Sequence, residues 1–213
     1  MTVDLSLYLV TDASQAKRAG TDILTVVRAA VAGGVTAVQV REKDAPARAF
    51  LDTVLNIAAV LPDSVALIVN DRVDVYLAAR AMAARVDGVH VGQSDLPVAA
   101  VRALVGPDAC IGVSASTPDQ LRASSGADYV GIGAVHETRT KRDAPPALGL
   151  DGFARLCAAS PLPAVAIGGI SAVDLPTLRA AGAVGAAVVS AICAADDPEA
   201  AARELRAAWE GTA

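Results

Sequence analysis

The stretch Ala37-Val38-Gln39-Val40-Arg41 decides how the rest of the chain is read. Two valines alternate with a glutamine and an arginine, a period of two that marks a strand with unlike faces. In a closed barrel this period sends Val38 and Val40 outward against helices, and Gln39 and Arg41 inward near the rim. An amide and a guanidinium inside a barrel are costly unless they lie near the mouth and find partners, which marks them as site residues more than filler.

Outward from this stretch, short β-branched runs alternate with longer Ala- and Leu-rich segments, and Gly, Pro, Asn or Asp stand at most joins. The expected strands are Leu7–Val10, Ala37–Arg41, Ala66–Val69, Gly88–Val91, Cys110–Val113, Tyr129–Ile132, Ala164–Ile167 and Gly185–Val189. Helices fit at Ile23–Ala32, Ala47–Val60, Val73–Arg80, Leu96–Ala103, Pro118–Ser124, Leu150–Ala158, Leu175–Ala181 and Pro198–Trp209. Thr117 and Asp174 suit helix N-caps, and Gly182 stands where a helix C-terminus needs a glycine. Strand followed by helix, eight times in 213 residues, predicts an α/β fold: a (β/α)8 TIM barrel, one domain over residues 1–213. An open doubly wound sheet is the alternative, because counting strands does not show that the last pairs with the first.

Composition narrows the class. Hydrophobic residues make up 54% but aromatics only 3%, so Ala, Val, Leu and Ile must fill the interior. Lys and Arg number 18 against 23 Asp and Glu, and the net charge of -5 offers no general attraction to nucleic acid or to an anionic membrane. Cys110, Cys157 and Cys193 are odd in number, widely spaced and set in apolar runs, which reads as reduced core thiols. No basic leader opens the chain and no apolar run reaches the roughly 20 residues of a membrane span, so a cytoplasmic protein is expected.

The polar clusters fall where such a barrel builds its sites, at the carboxyl ends of the strands. Gln39, Arg41 and Lys43 follow strand two, Asn70 and Asp71 strand three, Asp95 strand four and Ser114 strand five. Thr138, Thr140 and Lys141 lie in the long irregular stretch from Gly133 to Gly149, Gly168 and Gly169 follow strand seven, and Val189 and Ser190 close strand eight. Asp71 and Asp95, on neighbouring strand ends, suit a shared Mg²⁺ completed by water and phosphate oxygens, the alternative being two helix caps or surface pairs. Arg41, Lys43 and Lys141 gather cations at the same mouth of an acidic protein, which points to a polyanion. Gly168-Gly169 and Val189-Ser190 suit a phosphate pocket or, more plainly, a tight turn. His90, within a strand, reads as a hydrogen-bonded interior group, and His136 lies in the long loop; neither receives a catalytic role. No nucleophile triad, Walker loop or dinucleotide fingerprint is visible.

Taken in order, Val38-Gln39-Val40-Arg41-Glu42-Lys43, Leu67-Ile68-Val69-Asn70-Asp71-Arg72, Gly88-Val89-His90-Val91-Gly92-Gln93-x-Asp95 and Gly112-Val113-Ser114 resemble the thiamine phosphate synthase family. So do Thr138-x-Thr140-Lys141-x-Asp143, Ala166-Ile167-Gly168-Gly169-Ile170 and Val188-Val189-Ser190-Ala191-Ile192. The resemblance runs from Leu7 to Ile192 and implies a (β/α)8 barrel that couples 4-amino-2-methyl-5-hydroxymethylpyrimidine diphosphate to 4-methyl-5-(2-hydroxyethyl)thiazole phosphate, or its carboxylated form. It implies that Gln39, Arg41, Lys43, Asn70, Ser114 and Lys141 contact the pyrimidine diphosphate, with Glu42 among the substrate-binding residues. Arg41, Lys43, Ser114 and Lys141 would form the catalytic set, Asp71 and Asp95 would hold Mg²⁺, and Thr138, Thr140, Gly169, Val189 and Ser190 would hold the thiazole phosphate. The expected partners are small phosphorylated substrates, with neither nucleic acid nor membrane, and a homo-oligomer is left open. His136-Glu137 departs from the aromatic-Pro pair expected before Thr138, which predicts a less rigid loop. A thiazole tautomerase-like isomerase and a non-catalytic phosphate-binding barrel are the rival readings.

Overall fold

The computed structural model describes residues 3–138 and 146–212. Eight strands, β1 (Leu7–Val10), β2 (Ala37–Val40), β3 (Ala66–Asn70), β4 (Gly88–Val91), β5 (Cys110–Ala115), β6 (Tyr129–Ile132), β7 (Ala164–Ile167) and β8 (Gly185–Val188), each pair in parallel with the next. The last also pairs with the first, Leu7 opposite Ala186 and Leu9 opposite Val188, so the sheet is a closed barrel and the open-sheet alternative falls. Around it, among the described residues, run α1 (Ala13–Arg18), α2 (Ile23–Ala32), α3 (Ala47–Ala58), α4 (Val73–Ala81), α5 (Val98–Val105), α6 (Pro118–Arg122), α7 (Gly149–Ala159), α8 (Leu175–Ala180), α9 (Ser190–Cys193) and α10 (Pro198–Glu210). None of these is long and apolar enough to cross a membrane.

The two-residue period divides the core. Leu7, Leu9, Val38, Val40, Leu67, Val69, Ile111 and Val113 point outward into the layer shared with the helices. The opposite parity, Tyr8, Val10, Ala37, Ala66, Ile68, Tyr129, Val165 and Ala187, fills the barrel axis. Because β8 must lie against the chain entering β1, Gly185 has no room for a side chain: a Cβ there would stand 1.7 Å from the Leu5 carbonyl oxygen.

The two ends of the barrel do different work. At the amino end, Asp87, just before β4, accepts the Leu67 N–H of β3 at 2.7 Å, and Asp128, just before β6, accepts the Ile111 N–H of β5 at 2.7 Å. Arg85 and Arg102 balance these carboxylates at 3.0 and 2.7 Å. The charges there are spent on one another and on strand ends, so this end reads as stability and the other as function.

Element edges shift for local reasons. Helix α5 begins at Val98 and not at Leu96, because Leu96 precedes Pro97 and a residue before proline is pushed to extended backbone. Arg41 and Val189 lie just past β2 and β8, whereas β3 and β5 run on to Asn70 and Ala115. The unexpected α1 and α9 are too short to show a helical period. Thr117 caps α6 as expected, accepting from the Gln120 N–H, and Gly182 takes a φ of +96° behind α8. Asp174 precedes α8, but its carboxylate turns back to Ser171 and closes the capping box of a 3-10 turn at Ala172–Asp174. All three thiols are free; Cys193 is buried, but Cys110 and Cys157 are only partly so, less interior than expected.

Replacing Gly185 with Val should lower unfolding stability by about 3 kcal/mol or more, because the colliding group is backbone and cannot rotate away. Chemical denaturation of the two proteins measures it; a shift under about 1 kcal/mol would mean that β8 and β1 close differently.

Candidate active site

At the carboxyl end the barrel opens into a cavity of about 450 Å³, lined from all eight strand ends. Of the residues expected there, Gln39, Arg41, Lys43, Asn70, Asp71, Asp95, Ser114, Thr138, Gly169, Val189 and Ser190 all line it. Thr140 and Lys141 lie outside the described residues.

Glu42 is placed differently. The alternation that aims Gln39, Arg41 and Lys43 at the mouth turns Glu42 away, toward the loop after β1, and it does not line the cavity. Burial, and then the charge of Asp12, push its carboxyl up, with Arg41 pulling the other way. Its Oε1 is buried with no hydrogen-bond partner among the described residues.

Asp71 sits at the lip of β3 with a φ of +59°, a left-handed conformation unusual for a residue with a Cβ. Its N–H donates to the His90 carbonyl at 2.8 Å, locking the turn to β4. Lys43 Nζ lies 2.8 Å from its Oδ2. Burial works against ionisation of Asp71, but the hydrogen bond and charge of Lys43 outweigh it and the pKa is lowered. Asp95 is shifted the other way: burial raises its pKa, the Gly92 N–H at 2.7 Å lowers it, and the adjacent Asp71 carboxylate raises it again. Two carboxylates this close repel until a cation lies between them. Among the described residues no three His, Cys, Asp or Glu side chains gather to hold a metal. The carboxylate pair by itself suits a hard cation that takes its remaining oxygens from water and phosphate, as Mg²⁺ does.

Gly168 and Gly169 have φ of +98° and +68°. A Cβ on Gly168 would come within 2.6 Å of Ala134 Cβ, and one on Gly169 within 2.8 Å of His136 Cβ. The paired glycines are thus needed for the turn and for the loop after β6 to pack on it, whether or not an anion binds. His136 anchors that packing. Its Nε2 lies 2.9 Å from Asp174 Oδ1, while Asp174 Oδ2 accepts from the Ser171 N–H and hydroxyl at 2.9 and 2.8 Å. His136 itself is therefore held, whereas residues 139–145 of the loop that His136-Glu137 was expected to loosen lie outside the described residues.

A five-membered polar chain on the barrel axis was not anticipated. It runs Gln39, Tyr8, Tyr129, His90, Ser114, with successive contacts of 2.8, 2.9, 3.0 and 3.0 Å. His90 is the hydrogen-bonded interior group that its place in β4 suggested, and it also lines the cavity. The tyrosines had a signal in the sequence: the parity that makes Leu7 and Leu9 outward makes Tyr8 inward, and a buried phenol needs a partner.

The sequence model described as thiamine monophosphate synthase matches residues 7–192, most of the chain. The chain belongs to the thiamine monophosphate synthase family. A thiamine-phosphate synthase of Azorhizobium caulinodans is 48% identical over 95% of this chain and 94% of its own, and one of Laribacter hongkongensis is 49% identical over 96% and 95%. Among solved structures, a thiamine phosphate pyrophosphorylase from Pyrococcus furiosus superposes with a TM-score of 0.85 at 33% identity, covering 99% of this chain and 98% of that one. As a member of the thiamine monophosphate synthase family, the protein is an enzyme, a transferase that forms thiamine monophosphate.

Asp174→Ala should cost about 1–2 kcal/mol by removing the tie to His136 and the Ser171 cap. The Asp174 pKa is lowered in the folded protein: burial opposes this, but the donors from Ser171 and His136 prevail. The difference between wild type and variant should therefore be full above about pH 4 and shrink as pH falls through the lowered value. Denaturation from pH 7 to pH 2 checks this, and a gap that widens in acid would reverse the assignment.

Proposed function

We propose that the cavity joins 4-amino-2-methyl-5-hydroxymethylpyrimidine diphosphate to 4-methyl-5-(2-hydroxyethyl)thiazole phosphate, or its carboxylated form, with release of diphosphate. The observation that carries this reading is the cluster of Lys43, Asp71 and Asp95 beside Arg41, a cation-ready pair of carboxylates at one lip of the mouth. Gln39, Asn70 and Ser114 take the pyrimidine ring; Arg41, Lys43 and Lys141 take its diphosphate. Gly169, Val189 and Ser190, with Thr138 and Thr140, take the thiazole phosphate across the mouth. Asp71 and Asp95 would hold Mg²⁺, which when bound supplies positive charge against the departing diphosphate.

The chemistry asks little of protein nucleophiles. The C–O bond between the pyrimidine methylene and diphosphate breaks, its electron pair leaving with diphosphate, and the electron-rich aminopyrimidine steadies the cation left behind. The thiazole nitrogen then shares its lone pair with that carbon. Arg41, Lys43 and Lys141 hold the leaving charge, Ser114 and Gln39 hold the ring, and the walls keep the two substrates in register. The free thiols suit a cytoplasmic enzyme, the closed barrel suits one domain, and the cations at the mouth suit small phosphorylated substrates.

With both purified substrates and Mg²⁺, thiamine monophosphate and diphosphate should appear in equal amounts, chelation should stop the reaction, and added Mg²⁺ should restore it. Conversion of a thiazole phosphate alone, without diphosphate release, would point instead to the isomerase. Asp71→Asn and Asp95→Asn should each lower turnover at low Mg²⁺ by roughly a hundredfold or more while melting near wild type. Unchanged turnover in both would remove these residues from the metal site.

A further inference from the structure

The chain of side chains on the barrel axis carries an inference that rests on the placement of the pyrimidine ring against Gln39 and Ser114. Those two residues stand on β2 and β5, and three others that the bond-forming chemistry does not require connect them: Tyr8, Tyr129 and His90. Each phenol has one proton to give. With Gln39 Nε2 donating to Tyr8 Oη, both phenol protons find an acceptor within the chain only when Tyr8 donates to Tyr129 Oη and Tyr129 to His90 Nδ1. His90 then accepts at Nδ1 and donates from Nε2 to Ser114 Oγ, which leaves the Ser114 O–H to point elsewhere. At the other end the Gln39 amide has spent one of its two N–H groups on Tyr8, and its oxygen remains to accept and its second N–H to donate.

We propose that Tyr8, Tyr129 and His90 are positioning residues that set the hydrogen-bond polarity of the pyrimidine site, fixing which way the Gln39 amide is turned, and with it where its oxygen accepts, and leaving the Ser114 hydroxyl to donate. A 4-aminopyrimidine offers the matching pair, an amino N–H to give and ring nitrogens to receive. A 4-oxopyrimidine reverses the pattern, with a carbonyl to receive and a ring N–H to give. Reversing the protein to suit it requires all five groups to turn together, with a rotation of the Gln39 amide and a change of histidine tautomer. The relay makes that a single concerted penalty, where isolated side chains could each rotate freely.

The barrel is shaped around this relay. A Cβ on Gly112 would lie 2.2 Å from Tyr129 Cζ and 2.4 Å from His90 Nδ1, and one on Gly131 would lie 3.2 Å from His90 Cε1. The Tyr129 ring sits 6.2 Å from that of Tyr8, edge on, and 5.5 Å from His90. Burial pushes both phenols above their ordinary range, so they serve as neutral donors.

Two measurements test the relay. The chain has only two histidines, so ¹⁵N spectra of labelled protein, assigned with His136→Asn, read the His90 tautomer directly. His90 should carry its proton on Nε2, and the Nδ1 signal should move in Tyr129→Phe. The second measurement is kcat/KM for the aminopyrimidine diphosphate and for its 4-oxo counterpart. Tyr8→Phe and Tyr129→Phe should each raise KM for the aminopyrimidine and reduce the preference for it by roughly tenfold, one hydrogen bond's worth. The double variant should lose no more than either single one, and KM for the thiazole phosphate should hold. A proton on Nδ1 in wild type, an unchanged preference, or additive losses would overturn the relay. The wild-type spectrum decides the tautomer even where a variant does not fold. A wild type that makes no thiamine monophosphate defeats the reaction assignment, while the spectrum still judges the relay.

Discussion

In a closed parallel barrel every second side chain faces the axis, and the axis is too narrow to hold charge without partners or apolar groups without close packing. That constraint layers this molecule. Small and branched residues, Ala37, Ala66, Ile68 and Val165, occupy the axis alongside a relay of neutral polar groups. Only at the open lip do Arg41, Lys43, Asp71 and Asp95 appear, where water and substrate can meet their charge. The order from apolar to neutral polar to ionic follows the ease of solvation along the axis.

The lip shows how an acidic protein holds anions. Net charge works against polyphosphate, so the attraction must be local, and Lys43 and Arg41 supply it within a few residues of one strand end. Beside them two carboxylates are held closer than their charges favour, one ionised readily and the other reluctantly. Such a pair gains from a shared cation, and its geometry is kept in place by backbone: Gly92 N–H on Asp95, and the β3 to β4 turn on Asp71.

Much of this was legible in the chain because it depends on parity and strand ends. Val38 and Val40 against Gln39 and Arg41 placed the axis, and counting to the end of each strand placed eleven expected residues around one mouth. Glu42 stands apart from the mouth because parity divides a motif that the resemblance carried over whole. The relay was not legible as a unit, since Tyr8 and Tyr129 lie 121 residues apart and meet only because β1 and β6 face the same axis. The tie between His136 and Asp174 was hidden for a similar reason: a loop's stiffness depends on what it lands on, and its own composition is silent about that. Short helices such as α1 and α9 lacked the length for a period to show.

Asp71 combines two demands that pull apart. Its backbone lies in a region that a glycine enters freely and an aspartate enters at about 1 kcal/mol or more. The protein therefore stands slightly uphill at the position where its carboxylate is proposed to work. Selection for heat resistance alone would drift toward glycine there, yielding a hardier barrel that had forgotten its trade.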